Sequence, residues 1–387
     1  MTMEAEQTAW LQSNSVAQTE SDAKYVWFEN PTCSVVGLFT GRGGSTNGLV
    51  TEIVASADAS SIDNVVGVIL DKTSFYYESG GQIYDTGVLK VDDHDIMLHV
   101  SNTQTYGGYV LHVGTVAPGT TIKVGDKVSS HVDYERRGLV APNHTMTHVL
   151  NFAIREVLVG ASTEGTSGVA QCDQKGSLVD ADKMRFDFSW GSSMTVSQIT
   201  QVEKKVQDII SRSLPVFSQK VALSDAFEIS SLRAIFGEQY PDPVRVISVG
   251  NDVGDLLSDP KNKAWAGYSI EFCGGTHLTN TSQAVDFVLV EESGIAKGIR
   301  RITGLTKKGA AEARAAAKLL LGRLDDMLKM EGGKNLLVAS KSIKVEVCCE
   351  MQTVYELSIM IFNYLFQMFV LCCRLTVPSF LWWLGMK

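Results

Sequence analysis

The sequence predicts an α+β protein: a small N-terminal β-barrel, a two-layer α/β domain after it, and a C-terminal helix. Three observations carry this expectation. Short β-branched runs dominate residues 20–135, separated by clusters of Gly, Asn, Asp and Ser. Helical apolar spacing takes over after Pro142 and then alternates with further strand-like runs. The stretch from Lys307 to about Lys329 is rich in Ala, Leu, Arg and Lys, as a strong helix is.

Taken in order, Val35–Phe39, Val65–Leu70, Ile96–Val100 and Tyr109–Val113 read as strands. Pro118-Gly119 and Gly125-Asp126 are turn signals, so a barrel or curled sheet is expected. Pro142 then opens a helix of roughly four turns reaching Leu158. Its apolar residues are Met146, Val149, Leu150, Ala153, Ile154, Val157 and Leu158. At about 100° per residue, His144 and His148 lie within roughly 40° of each other. They stand nearly opposite the apolar stripe, with Asn151 and Arg155, so the helix should pack on one face and present both imidazoles on the other. Further on, Gln174–Leu178 and Arg185–Ser189 look like a hairpin with a charged tip. An amphipathic helix is expected at 195–212, and strands at Met184–Phe188, Val244–Val249 and Val285–Val290. The expected blocks are 1–135 for the barrel, 136–305 for the α/β domain, 306–340 for a helical extension and 341–387 for an atypical apolar tail.

Composition bounds the function. The 387 residues have room for two or three domains, and the 44% hydrophobic content is that of an ordinary globular protein. With a net charge of −9, any nucleic-acid role must rest on local patches. The acidic start, Met1-Thr2-Met3-Glu4-Ala5-Glu6, lacks the features of a secretory signal or a transit peptide. Seven cysteines, four of them in vicinal pairs, do not form a disulfide framework, so a reducing compartment is expected. The uncharged run Leu357–Cys373 is 17 residues long. A membrane-spanning helix needs about 20. The tail is therefore read as part of no folded domain, although it is the one feature that points toward a membrane.

Two segments concentrate metal-binding chemistry. His144-Thr145-Met146-Thr147-His148 and Cys273-Gly274-Gly275-Thr276-His277 each set two donors four residues apart, and they hold three of the seven histidines. Together they offer a full donor set for one tetrahedral zinc. Either segment alone is a weak signal, because such spacing is common on helices that bind nothing. No Glu follows His144, so the His-Glu-x2-His pattern of zinc proteases is absent. The paired glycines imply a sharp turn or a close backbone approach. A third segment, Ser79–Gly87, is glycine-rich but lacks the ending of a P-loop, and by itself reads as a tight hairpin turn.

Read together and in order, these segments resemble alanyl-tRNA synthetase, specifically its editing half. That half is shared with free-standing alanyl-tRNA editing proteins and with the second additional domain of threonyl-tRNA synthetase. The resemblance runs through Thr73–Tyr76, Ser79–Gln82, Asp85–Gly87, Asn143–Thr145 with Thr147-His148, and Gln174–Ser177. It continues through Phe236–Glu238, Val244–Val246, Cys273–His277, Glu292–Ala296 and Gly298–Arg301, covering about residues 20–340. It implies a zinc-dependent deacylase, the 136–305 block being the editing domain, that hydrolyses Ser-tRNA(Ala) or Gly-tRNA(Ala) at the acceptor end. A second, hydrolytic site is needed because a pocket built for alanine rejects an isostere with one extra hydroxyl only weakly.

The resemblance also implies roles: His144, His148, Cys273 and His277 bind one Zn2+ per chain, and Gln82 and Thr145 line the substrate pocket. Lys297, Arg300, Arg301, Lys307 and Lys308 fall within twelve residues with no acid between them, and they are assigned to tRNA phosphates. The class II aminoacylation core is expected before the barrel, and nothing like it is found, so ATP-dependent charging by this chain alone is not expected. Met146 should be absorbed by the apolar face, and Tyr77 could narrow the pocket. The alternatives are a non-catalytic tRNA-binding fragment, or a part of a synthetase whose charging core lies in another chain. The expected location is the cytoplasm, with an organelle as the alternative.

Overall fold

Antiparallel strands account for the N-terminal stretch in the computed structural model, which describes residues 1–41, 48–58, 60–91, 95–160, 172–235 and 238–328. The apolar tail, the helical extension past 328 and Phe236-Gly237 lie outside the described residues. The chain divides into two units. One is Met1–His144 with Val179–Ala181 and Gly274–His277, and the other is the remainder.

The first unit begins with helix α1 (Ala5–Ser13) and continues through strands β1 (Thr32–Phe39), β2 (Leu49–Val50), β3 (Glu52–Val54), β4 (Val65–Leu70) and β5 (Gly87–Val91). It goes on through β6 (Asp95–Tyr106), β7 (Tyr109–Val116), β8 (Thr121–Lys123) and β9 (Lys127–Val132). Strands β1, β4, β7, β6, β5 and β9 pair in that order, and β9 pairs back onto β1. The result is the expected barrel, with six strands in the closed ring. The β1 register sets Val35 opposite Leu70 on one side and Cys33 opposite Val128 on the other. Cys33, Val35, Leu70, Leu89, Leu98 and Val128 are among the side chains that fill the interior. Period-two alternation places them there, so the β-branched runs of the sequence become the inner face. Buried in β7, His112 bonds Val68 O through Nδ1 at 3.0 Å and Thr73 Oγ1 through Nε2 at 2.8 Å. Burial pushes its pKa down to about 4, so it is neutral.

Helix α2 spans Tyr134–Leu158, so it starts two turns before the expected Pro142. The reason is local. Asp133 accepts from Arg136 N at 3.0 Å, and its own carbonyl takes the Arg137 amide. This N-cap is a weaker sequence signal than the proline, yet it is where the helix begins. Pro142 is carried inside the helix. The His-bearing face is buried as well as the apolar one, because every residue from Val140 to Ile154 is buried. The helix is therefore not one-sided, in contrast to what its amphipathic pattern predicts. Met146 is absorbed as expected. From the first turn, Arg137 reaches Asp85 of the glycine-rich segment in an ion pair buried at both ends, and it also donates to Ser74 O at 2.7 Å.

Strands β10 (Gln174–Val179) and β11 (Met184–Ser189) form the expected hairpin. Helix α3 (Val196–Ser211) carries a capping box: Gln198 N donates to Thr195 Oγ1 at 3.2 Å, and Thr195 N donates to Gln198 Oε1 at 2.8 Å. Then come β12 (Val216–Val221), α4 (Leu223–Phe227), β13 (Val244–Val249), α5 (Val253–Ser258), β14 (Ser269–Phe272), β15 (Phe287–Ala296), β16 (Ile299–Thr306) and α6 (Lys307–Leu328). Strands β10, β11, β16 and β15 make one sheet, and β12, β13 and β14 make a second. Strand β15 starts two residues later than expected, because Val285 is exposed and has a φ of 65°. Val246, Val253, Leu256 and Ile270 pack the core beside the three-stranded sheet.

Candidate metal centre

The chemistry gathers on α2 and on the segment that follows β14. Gln82 is fully buried in the turn Ser79–Gln82, where Gly80 (φ 58°) and Gly81 (φ 84°) supply the left-handed backbone a tight hairpin requires. Its amide is consumed. Thr276 N donates to Gln82 Oε1 at 2.9 Å, and Gln82 Nε2 donates to Thr276 Oγ1 at 2.9 Å. The Thr276 amide can only donate, so the atom it meets is the Gln82 oxygen. That same oxygen lies 2.5 Å from His144 Nδ1, which must therefore carry the proton. His144 Nε2 is left as the ligand atom, the tautomer a metal needs. A side chain at Gly275 would overlap the His144 ring, so this glycine is required for room rather than for its backbone angle.

His148, one helical turn on, is oriented by a charged partner. Its Nδ1 hydrogen-bonds Glu271 Oε2, and Asn151 donates to the other carboxylate oxygen at 2.8 Å. Burial disfavours the imidazolium, but Glu271 and Cys273 outweigh it and push the His148 pKa up to about 10. A cation in this position would replace that proton. One donor atom from each of His144, His148, Cys273 and His277 lies within 4.8 Å of the other three. The three histidines are buried and Cys273 is half-buried. This cluster could hold a metal ion.

The other expected site residues fall as follows. Thr145 is fully buried, and its hydroxyl accepts from Leu278 N at 3.0 Å, just past His277. Tyr77 accepts a hydrogen bond from Lys24 at 3.1 Å, and that ammonium lies 4.2 Å from its ring centre. Lys297 is exposed at the β15–β16 turn, Lys307 is half-buried at the start of α6, and Lys308 is exposed beside Glu312 at 3.4 Å. The two arginines do not join them in one patch. Consecutive strand residues face opposite sides of a sheet. Arg300 pairs with Glu292 at 2.5 Å, and Arg301 grips both oxygens of Asp187 at 2.8 Å. No acid interrupts the run in sequence, but sheet pairing brings two beside it. Sequence reasoning misses Glu271, although a carboxylate two positions before a ligand cysteine is a usable signal. It places Asn151 on the histidine face but gives it no partner.

The family of class II (A) tRNA synthetases matches residues 4–136, the stretch that folds as the barrel. The threonyl and alanyl tRNA synthetase second additional domain matches residues 244–303, which contain Cys273 and His277. The chain is 40% identical over 336 residues to the cytoplasmic alanine–tRNA ligase of Dictyostelium discoideum, covering 86% of this chain and 33% of that protein. It is 42% identical over 343 residues to the alanine–tRNA ligase of Candida albicans, covering 87% of this chain and 33% of that protein. It is 46% identical over 259 residues to the mitochondrial enzyme of Saccharomyces cerevisiae, covering 67% of this chain and 25% of that protein. The chain thus spans about a third of the length of the curated relatives it matches. Among the described residues, no helix is long and apolar enough to cross a membrane. Over the span it shares with these relatives, the chain belongs to the alanyl-tRNA synthetase family.

Proposed function

We propose that the chain hydrolyses the ester of misacylated tRNA(Ala), seryl or glycyl, at a zinc held by His144, His148, Cys273 and His277. The observation that carries this is the four-donor cluster in a chain whose 244–303 segment matches the second additional domain. The donor set fits zinc: bonds of about 2.0–2.3 Å put tetrahedral donors roughly 3.5 Å apart, and the four atoms are already within 4.8 Å. Bound there, zinc would supply a Lewis-acid charge for the ester carbonyl or for a water, at a fifth coordination position or in place of one of the four protein ligands. His144 and His148 are pre-oriented by Gln82 and Glu271 to offer Nε2. Gln82 and Thr145 act in this reading through the loop, since Gln82 holds Thr276 and Thr145 holds Leu278. Binding of tRNA phosphates is assigned to the exposed Lys297 and Lys308 and to the half-buried Lys307, while Arg300 ties β16 to β15 through Glu292 and Arg301 ties it to β11 through Asp187. The cytoplasm is the proposed location.

The test is deacylation of Ser-tRNA(Ala) by the purified chain, with zinc measured on the same sample. Turnover with one zinc per chain, both abolished in His148→Ala, is the expected result. Zinc without turnover would leave a tRNA-binding module with a structural metal, which a four-ligand closed shell also suits.

A further inference from the structure

We propose that Trp27, Phe28 and Tyr134 form a stacking platform for the terminal nucleobase of the tRNA; the inference rests on the ester-hydrolysis reading above. Phe28 is 71% exposed, and its φ is 63°. Bulky residues rarely adopt that left-handed conformation. Hydrophobic burial does not hold it there, because the ring faces solvent. Strain kept at an exposed aromatic side chain points to a ligand.

The ring is backed by two others. Tyr134 lies 4.6 Å from Phe28, centre to centre, and Trp27 lies 5.8 Å from each of them. Tyr134 is itself clamped, with its hydroxyl donating to Glu29 O at 3.4 Å and the Arg137 guanidinium 5.0 Å from its ring centre. The cluster is also joined to the candidate centre. The Trp27 indole donates to the carbonyl of His277 at 3.1 Å. Tyr25, on the same segment, sets its phenol oxygen 3.8 Å from where a side chain on Gly274 would begin. Residues 25–28 therefore follow the loop that carries His277.

That attachment narrows the occupant. An amino acid esterified to the last ribose of a tRNA has the base of the same nucleotide one sugar away. A site that holds the ester must accept the base beside it. Flat aromatic side chains suit an unpaired base, whose face stacks whatever its identity. A protein segment covering Phe28 is the competing occupant, and it becomes an outcome of the test.

The experiment compares the wild-type chain with Phe28→Ala and Phe28→Tyr in deacylation of Ser-tRNA(Ala), with zinc content and sedimentation read on each. Expected is a 5- to 150-fold rise in KM for Phe28→Ala, the equivalent of about 1–3 kcal/mol of stacking. The kcat and zinc content should hold, and Phe28→Tyr should restore KM. An unchanged KM, a defect that tyrosine does not rescue, or a change of oligomeric state in Phe28→Ala would overturn the platform. A second probe does not require turnover. The trinucleotide CCA should quench tryptophan fluorescence in the wild type and not in Trp27→Phe. Quenching without deacylation would support the platform and sink the hydrolytic reading; deacylation with no quenching and no KM effect would do the reverse.

Discussion

At the scale of single residues, the two helical histidines are held by partners of different charge. His144 meets a neutral amide at Gln82, and His148 meets a carboxylate at Glu271. A carboxylate behind an imidazole makes its far nitrogen a stronger ligand. Glu271→Gln keeps the shape and removes the charge, so metal affinity should fall about 10- to 100-fold. Chelator competition on the folded protein reads this directly, and equal affinity in both forms would deny Glu271 that role. Acid should weaken binding in the same assay. With its pKa near 10 in the absence of metal, His148 holds a proton throughout the neutral range. A metal must displace that proton, so affinity rises with pH and falls on acidification.

Elements set the next level of prediction. In β7, His112 is neutral in the fold, with a pKa near 4 against 6.5 when unfolded. Between those values the unfolded chain binds the extra proton. Stability contributed by the neutral ring is therefore full above about pH 6.5 and is lost as pH falls toward 4. Moving from pH 7 to pH 5 should cost about 2 kcal/mol, measurable by urea unfolding. His112→Asn should flatten that pH dependence, and a slope identical to wild type would assign it to other groups. Along β15, β16 and the start of α6 the charges separate by function. Lys297→Ala with Lys308→Ala should flatten the salt dependence of tRNA affinity, by a slope of about 0.7–0.9 for each phosphate that is no longer neutralised. Arg301→Ala should instead destabilise the fold by about 1–3 kcal/mol, because it strips both close hydrogen bonds from the buried Asp187 and leaves it only Arg185 at 3.8 Å. If the arginine variant flattened the salt slope and the lysine pair did not, the assignment would be reversed.

For the molecule as a whole, the four donors come from one helix and one loop separated by much of the chain. A metal bound only by the folded state stabilises it by mass action, by about 2.7 kcal/mol at a free concentration one hundred times its dissociation constant. Thermal unfolding of the metal-loaded chain should therefore shift down by several degrees on chelation. His148→Ala should not respond to the chelator. A wild-type melting curve indifferent to chelator would mean that the cluster binds no metal under those conditions.

The sequence by itself determined the strand runs, the i,i+4 histidine pair and the Cys273–His277 donors. Each of these is a local property, set by side-chain type and by the period of one strand or one turn of helix. The family was legible for a similar reason, since short motifs in a fixed order survive without knowledge of which residues touch. Tertiary structure decided the rest. Asp187 faces Arg301 only because β11 and β16 pair in that register. Glu271 meets His148 only because folding brings β14 to that turn of α2, and Pro142 sits inside α2 because Asp133 caps the helix two turns earlier. Such partners lie far apart in sequence or compete locally with a stronger signal. Their pairing depends on burial and register, which no single stretch of chain encodes.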